Sequence, residues 1–240
     1  MTDSRTQVLR KVRQALTTFD QRARPQHTMP DADRQGLFAS ARHFDSLVKK
    51  FQEELERAGG EVRICSDGLC AVELIKSCIE KEGFQTVAVS RHKICLELNL
   101  VSRLADRLPE VRCLVEGIDS ENPYARDRLK EQMARVPLSI TGIEYLIADT
   151  GTIVAVAQPV ASRHISLLPE VHMVLATVDQ IRPNLSDLFA EIQAQSGANL
   201  PGSAITLITG PSRTADIEKV LIKGVHGPTR LVVVLVEKFE

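Results

Sequence analysis

Tryptophan is absent from the 240-residue chain and tyrosine occurs only twice, so the core must be built from aliphatic side chains rather than stacked rings. A long hydrophobic run is missing as well. The longest, Leu231 to Val236, falls far short of the ~20 apolar residues that a membrane-spanning helix needs. No N-terminal stretch resembles a signal-peptide core. A cytoplasmic protein without a membrane span is therefore expected. Nor does one sign of charge dominate, since 30 Lys and Arg face 31 Asp and Glu for a formal net charge of −1. No global field then draws the chain to nucleic acid or to an anionic membrane surface. Any anion site must be local.

Cysteine is present but unpatterned. Cys65, Cys70, Cys78, Cys95 and Cys113 form no C-x2-C pair, which argues against a disulfide framework and an iron–sulfur cluster. They are expected to act as small buried hydrophobes, with Cys65, Cys70 and Cys78 facing the core. His92-x2-Cys95 is the nearest approach to metal-ligand spacing, and no second pair accompanies it. No metal and no cofactor are expected on this chain. Also missing are a G-x-G-x-x-G after a strand, a P-loop, a G-x-S-x-G elbow and an H-E-x-x-H helix. Nucleotide-binding Rossmann, NTPase, hydrolase and zincin readings lose their support accordingly.

What is there alternates between helical and strand patterns. Ser4 and Gln7 form a capping box before Val8, Leu9, Val12, Ala15, Leu16 and Phe19 at helical spacing. Residues 20–36 lose that period and carry Pro25 and Pro30, so residues 1–36 read as a helical arm with its linker and 37–240 as the main domain. Phe44, Leu47, Val48, Phe51 and Leu55 mark a helix ending at Gly59-Gly60. A strand at Glu61 to Cys65, a helix capped by Ser66 and ending at Gly83, and a strand at Gln85 to Val89 follow. Then come a helical stretch near Ile94 to Leu108, a strand at Val111 to Val115 and a helix opened by Ser120 and Pro123. Apolar runs at Thr152 to Ala157, Val171 to Thr177, Ala204 to Thr209 and Leu231 to Val236 suit strands covered on both faces. A helix bearing Leu185, Leu188, Phe189 and Ile192 precedes Gly197. The pattern predicts an α/β fold, a mostly parallel sheet with helices on both faces.

In open α/β sheets ligands bind beyond the carboxyl ends of strands, and one loop after an apolar run concentrates suitable groups. Gly210-Pro211-Ser212-Arg213-Thr214-Ala215-Asp216 precedes a helical pattern at Ile217, Val220 and Leu221. Backbone N–H groups at such a helix start favour anions, and Arg213 could clamp a carboxylate with two parallel bonds. An ordinary loop, with Thr214 as a cap and Arg213 paired to a surface acid, fits equally. Asp149-Thr150-Gly151-Thr152 could admit a ligand close to the backbone or could simply form a tight turn before its strand. His226, between Gly224-Val225 and Gly227-Pro228, could act as an acid or base or stand in an exposed turn. Arg163 would complement an anion held by Arg213. His172, inside a predicted strand, reads as a hydrogen-bonded core histidine.

Taken in order, Ile140-Thr141-Gly142, Asp149-Thr150-Gly151-Thr152, Arg163 with Ser166-Leu167-Leu168-Pro169 and His172, Gly210-Pro211-Ser212-Arg213-Thr214-Ala215-Asp216-Ile217-Glu218 and Gly224-Val225-His226-Gly227-Pro228 resemble the LUD-domain proteins of lactate utilization. The resemblance is strongest to their single-domain C-type member. It is dense from about Ile140 onward, and its most specific part is the stretch from Gly210 to Glu218. It implies a fold similar to that of ribose-phosphate isomerases, glucosamine-phosphate deaminases and CoA transferases. It also implies a role in oxidising L-lactate to pyruvate with iron–sulfur partner proteins, which would carry the clusters. Asp149 departs from the family pattern, where Glu commonly precedes Thr-Gly-Thr, and this weakens a base role for it.

The leading expectation is a subunit of an L-lactate utilization system that binds a small anion such as lactate or pyruvate. Thr150, Gly151, Thr152, Arg163, Gly210, Ser212, Arg213, Thr214, Asp216 and His226 are its candidate ligand-binding residues. A self-sufficient isomerase or acyl-transferase-type enzyme, using Glu144, Asp149 or His226, is the alternative. A non-catalytic assembly or regulatory protein docking through the N-terminal helix is the third possibility.

Overall fold

The computed structural model describes residues 41–115, 125–156, 164–196, 204–214, 222–223 and 227–239, all within the unit Ser40–Glu240. The arm at 1–36, Ser120, Pro123 and Gly197 lie outside the described residues. Helix α1 (Ala41–Arg57) buries Leu47, Phe51 and Leu55 and ends at Gly59, whose φ of +90° is left-handed as expected. Strand β1 (Glu61–Asp67), helix α2 (Gly68–Glu82) and strand β2 (Thr86–Val89) follow. Asp67, not Ser66, caps α2. Its carboxylate accepts from the Cys70 N–H at 2.8 Å, while the Ser66 hydroxyl donates to Asp67 at 2.9 Å. A charged acceptor at a helix start gains from the dipole in a way that a hydroxyl does not. Cys70 thereby stands in the exposed first turn instead of the core, whereas Cys65 is buried.

The stretch expected as one helix is two, α3 (Lys93–Glu97) and α4 (Leu100–Arg107), separated by Asn99 at φ +46°. Asparagine is among the few side chains that adopt this conformation readily. Strand β3 (Arg112–Val115), helix α5 (Ala125–Met133) and strand β4 (Leu138–Gly142) come next. After them run β5 (Tyr145–Ile147), β6 (Thr152–Val156), α6 (His164–Leu167), β7 (Val171–Thr177), β8 (Ile181–Arg182) and α7 (Leu185–Ser196). The last elements are β9 (Ile205–Ile208), β10 (Arg213–Thr214), β11 (Ile222–Lys223) and β12 (Arg230–Lys238).

Six strands form a wholly parallel sheet in the order β1-β12-β7-β4-β2-β3. The unbroken run Leu231 to Val236 sits inside β12 between two neighbours, and every residue of it is buried. Two of the four apolar runs expected in this sheet lie elsewhere. β6 and β9 belong to a second sheet, β8-β5-β6-β9, in which β5/β6 and β6/β9 pair antiparallel. For β6 the reason is the length of the connection. Only the 3₁₀ turn Ala148–Thr150 and Gly151 join β5 to β6, and a parallel crossover needs a dozen residues or more.

Both faces of the large sheet are covered, as its apolar strands require. On one face α2, α3 and α4 pack Ile75, Ile79, Ile94 and Leu104 against Val87, Ile140, Met173 and Val234. On the other, Phe51 and Leu55 of α1 and Leu146 and Ile153 of the second sheet meet Val174, Val233 and Leu235. Met133 and Ile165 cover Ala88 on the same side. Helix α7 closes the second sheet from outside through Leu188 and Ile192, leaving Phe189 43% exposed.

Gly151 distinguishes two kinds of glycine in this fold. It adopts φ +60°, and a Cβ there would run into the backbone of Glu54 and Leu55 in α1. Gly83 has a similar φ of +68° with open space around it. Gly83→Ala should therefore cost only the left-handed penalty of about 1–2 kcal/mol, while Gly151→Ala should cost a further 1–3 kcal/mol or so for overpacking. Urea denaturation of the two variants checks this, and equal costs would contradict the close approach.

Candidate functional site

The loop after β9 starts from the carboxyl end of a strand, as expected, but that strand belongs to the second sheet. In space the loop lies beside the amino ends of β7 and β12, where the Ser212 N–H donates to the Pro228 carbonyl at 2.8 Å. Arg213 and Thr214 run extended and pair with Lys223 and Ile222 in a short antiparallel ladder. The helical pattern expected at Ile217, Val220 and Leu221, together with Asp216, lies outside the described residues, as do Arg163 and His226. Gly210, at φ +85°, leaves no room for a Cβ, which would stand 2.7 Å from the Ala58 carbonyl oxygen. The Arg213 guanidinium lies over Gly59 at the end of α1, and Arg213 is exposed.

The Asp149–Thr152 segment is a tight turn docked on α1. Asp149 is exposed, and its N–H donates to the Pro183 carbonyl at 3.0 Å. The turn joins the Gly210 loop through hydroxyls. Thr150 Oγ1 meets Thr152 Oγ1 at 2.6 Å, and Thr152 Oγ1 meets Thr209 Oγ1 at 2.7 Å. Of the expected ligand residues, the fold thus brings Thr150, Gly151, Thr152, Gly210, Ser212 and Arg213 into one neighbourhood. Asp149 faces solvent beside them.

Beside the Gly210 loop opens a cleft of about 230 Å³, with Ser166, His172, Thr209, Gly210, Ser212 and Gly227 among the residues that line it; Thr150, Gly151, Thr152 and Arg213 are not among its described lining residues. No Lys, Arg, Asp or Glu is among its described lining residues. His172 is 1% exposed, and its Nε2 lies 2.8 Å from Thr141 Oγ1. The core reading of this histidine holds for one nitrogen only, because Nδ1 is buried with no hydrogen-bond partner among the described residues. Burial pushes the ring's pKa down to about 4, so the imidazole is neutral at pH 7.

A second group of polar side chains occupies the carboxyl ends of β2 and β4. The chain passes from β2 to β3 on one side and returns to β4 on the other, so this is the topological switch point of the large sheet. The Ser90 hydroxyl accepts from the Gly142 N–H at 3.3 Å and from the His92 N–H at 3.4 Å. His92 Nε2 stands 3.7 Å from Glu144 Oε1, and Glu144 Oε2 accepts from the Val156 N–H at 2.7 Å. Burial holds the His92 pKa below its ordinary value against the pull of Glu97. The contact therefore joins a neutral ring to a carboxylate and is not an ion pair at pH 7. Cys95 is buried, with its Sγ 3.7 Å from Ser90 Oγ. Sequence reasoning found Glu144 here but missed Ser90 and His92 as its companions.

Acid stability reports on the buried ring. The folded pKa of His172 lies below the unfolded value near 6.5, so the unfolded chain binds the extra proton between about pH 6.5 and pH 4. Stability from this group is complete above pH 6.5 and drains away toward pH 4, on the order of 3 kcal/mol in all. Denaturant midpoints across that range should fall less steeply for His172→Gln than for the wild type. Identical slopes would show that the ring titrates normally.

The LUD domain family profile matches residues 48–236. Lactate utilization protein C of Halalkalibacterium halodurans is 37% identical over 113 residues, 46% of this chain and 49% of that protein. The protein of the same name from Bacillus subtilis is 37% identical over 110 residues, 45% of this chain and 44% of that protein. The matched stretch thus spans about half the length of these curated relatives. The uncharacterized protein YkgG of Escherichia coli is 30% identical over 176 residues, 72% of each chain. A crystal structure of a DUF162 family protein from Deinococcus radiodurans shares the fold at a TM-score of 0.50 and 20% identity, covering 80% of this chain and 98% of that one. With its profile match running from the middle of α1 into β12, the chain belongs to the LUD domain family.

Proposed function

We propose that this chain is a subunit of an L-lactate utilization system in which L-lactate is oxidised to pyruvate. Iron–sulfur partner proteins carry the redox centres, and this chain, without a cofactor of its own, holds a small anion such as lactate or pyruvate. The observation that carries the reading is a coincidence of place. Gly210–Ser212, which open the Gly210–Glu218 stretch where the resemblance to lactate utilization proteins is most specific, form a wall of the cleft that His172 also lines. Arg163 and His226 join the proposal through their chain neighbours, since α6 with Ser166 follows the first and Gly227 follows the second on the cleft's border. Thr214 and Asp216 continue the Gly210 loop. Arg213 supplies a cation next to Ser212, and engaging a ligand in the cleft would require it to leave Gly59.

A self-sufficient enzyme is the second reading, favoured by the neutral His92 ring 3.7 Å from Glu144 at the switch point. Such a pair could relay a proton to a bound substrate. L-lactate oxidation by the assembled system, with and without this chain, tests the first reading. Oxidation should fail when the chain is omitted and return when purified chain is added. Undiminished oxidation without it would refute the subunit role, and turnover of lactate or a sugar phosphate by the chain alone would favour the second reading.

A further inference from the structure

The His172 ring carries one polar atom that the fold leaves without a partner. Nδ1 is buried and has no partner among the described residues, on a residue that lines the cleft. A buried donor or acceptor without a partner costs free energy, and a native structure tolerates it where a ligand supplies the missing bond. Which role Nδ1 plays follows from Thr141. That side chain is 5% exposed, and its one hydrogen bond among the described residues is to Nε2, at 2.8 Å. Were Thr141 to accept from an Nε2–H, its own hydroxyl proton would be buried without an acceptor. By donating to a bare Nε2 it satisfies that proton and leaves the ring's hydrogen on Nδ1.

We propose that His172 is a ligand-binding residue of the cleft, its Nδ1–H donating to an oxygen of a small monocarboxylate, with Thr141 as the positioning residue that fixes the tautomer. The proposal rests on reading the cleft as the chain's ligand site. The chemistry of the lining favours this class. A neutral N–H donor on a cleft that Ser212 also lines can receive carboxylate or carbonyl oxygens, and no acidic side chain among the described lining residues opposes a negative charge. The cleft's volume of about 230 Å³ equals several waters at roughly 30 Å³ each. That admits a molecule of the size of pyruvate or lactate.

The test uses the full chain with ¹⁵N-labelled histidine. In the free protein, ring ¹H–¹⁵N spectra should show Nδ1 protonated and Nε2 bare. Pyruvate and L-lactate are then titrated, with affinity read by calorimetry and the His172 ring followed by its spectrum. Binding should shift the Nδ1 signal, and His172→Phe should weaken it by about 10- to 150-fold. Thr141→Val should weaken it less and add signals of the Nε2–H tautomer, which a merely structural threonine would not do. The proposal is overturned, with the cleft still standing as a ligand site, if either probe binds but leaves Nδ1 unshifted, or if the free ring is protonated on Nε2. Should His172→Phe fail to fold, the wild-type spectra decide alone. If neither probe binds at millimolar concentration, the reading of the cleft falls and this inference with it.

Discussion

The last turn of α1 is the surface on which the second half of the chain is assembled. Segments distant in sequence meet there without space for an added side chain. Gly151 abuts the backbone of Glu54 and Leu55, Gly210 abuts the Ala58 carbonyl, and Arg213 lies over Gly59. Overlap with backbone cannot be relieved by a rotamer change, so each glycine sets a fixed distance between helix and turn. The β5–β6 turn and the loop after β9 are thereby held side by side. The hydroxyls of Thr150, Thr152 and Thr209 close the joint between them.

This arrangement places two polar sites at opposite ends of the large sheet. At the amino ends of β7 and β12, the Gly210 loop roofs a cleft that His172 lines. At the carboxyl ends of β2 and β4, Ser90, His92 and Glu144 gather at the switch point. The general rule for open sheets favours the second position. The Gly210 loop, where the resemblance read from the sequence is most specific, favours the first. What distinguishes the two sites physically is that Ser90 and Glu144 each accept from backbone N–H groups, while His172 retains a buried polar atom with no partner among the described residues.

Much of the fold is legible in the sequence. Val171 to Thr177 and Leu231 to Val236 read as strands because a strand buried on both faces must be apolar throughout, and Gly59 and Gly83 stop their helices as sequence implies. The partnering of strands is not legible. β6 is buried on both sides like the central strands, so its composition reports burial without saying that its neighbours are β5 and β9. That single ambiguity moved the Gly210 loop from the carboxyl to the amino end of the large sheet. Ser90 and Gly142 lie 52 positions apart and meet only because β2 pairs with β4. Strand order was the signal that could have joined them, and local periodicity does not contain it. His172 reads as a buried strand residue and is one, but its second nitrogen becomes informative only once Thr141 is seen to occupy the first.

The central claim is that the ligand site lies at the amino ends of β7 and β12, under the Gly210 loop. A crystal structure of the full chain grown with saturating pyruvate tests it most directly. The account predicts the ligand between Ser212, Gly227 and His172, with an oxygen in hydrogen-bond reach of Nδ1. Pyruvate seated instead among Ser90, His92 and Glu144, with the Gly210 cleft holding only solvent, would contradict it.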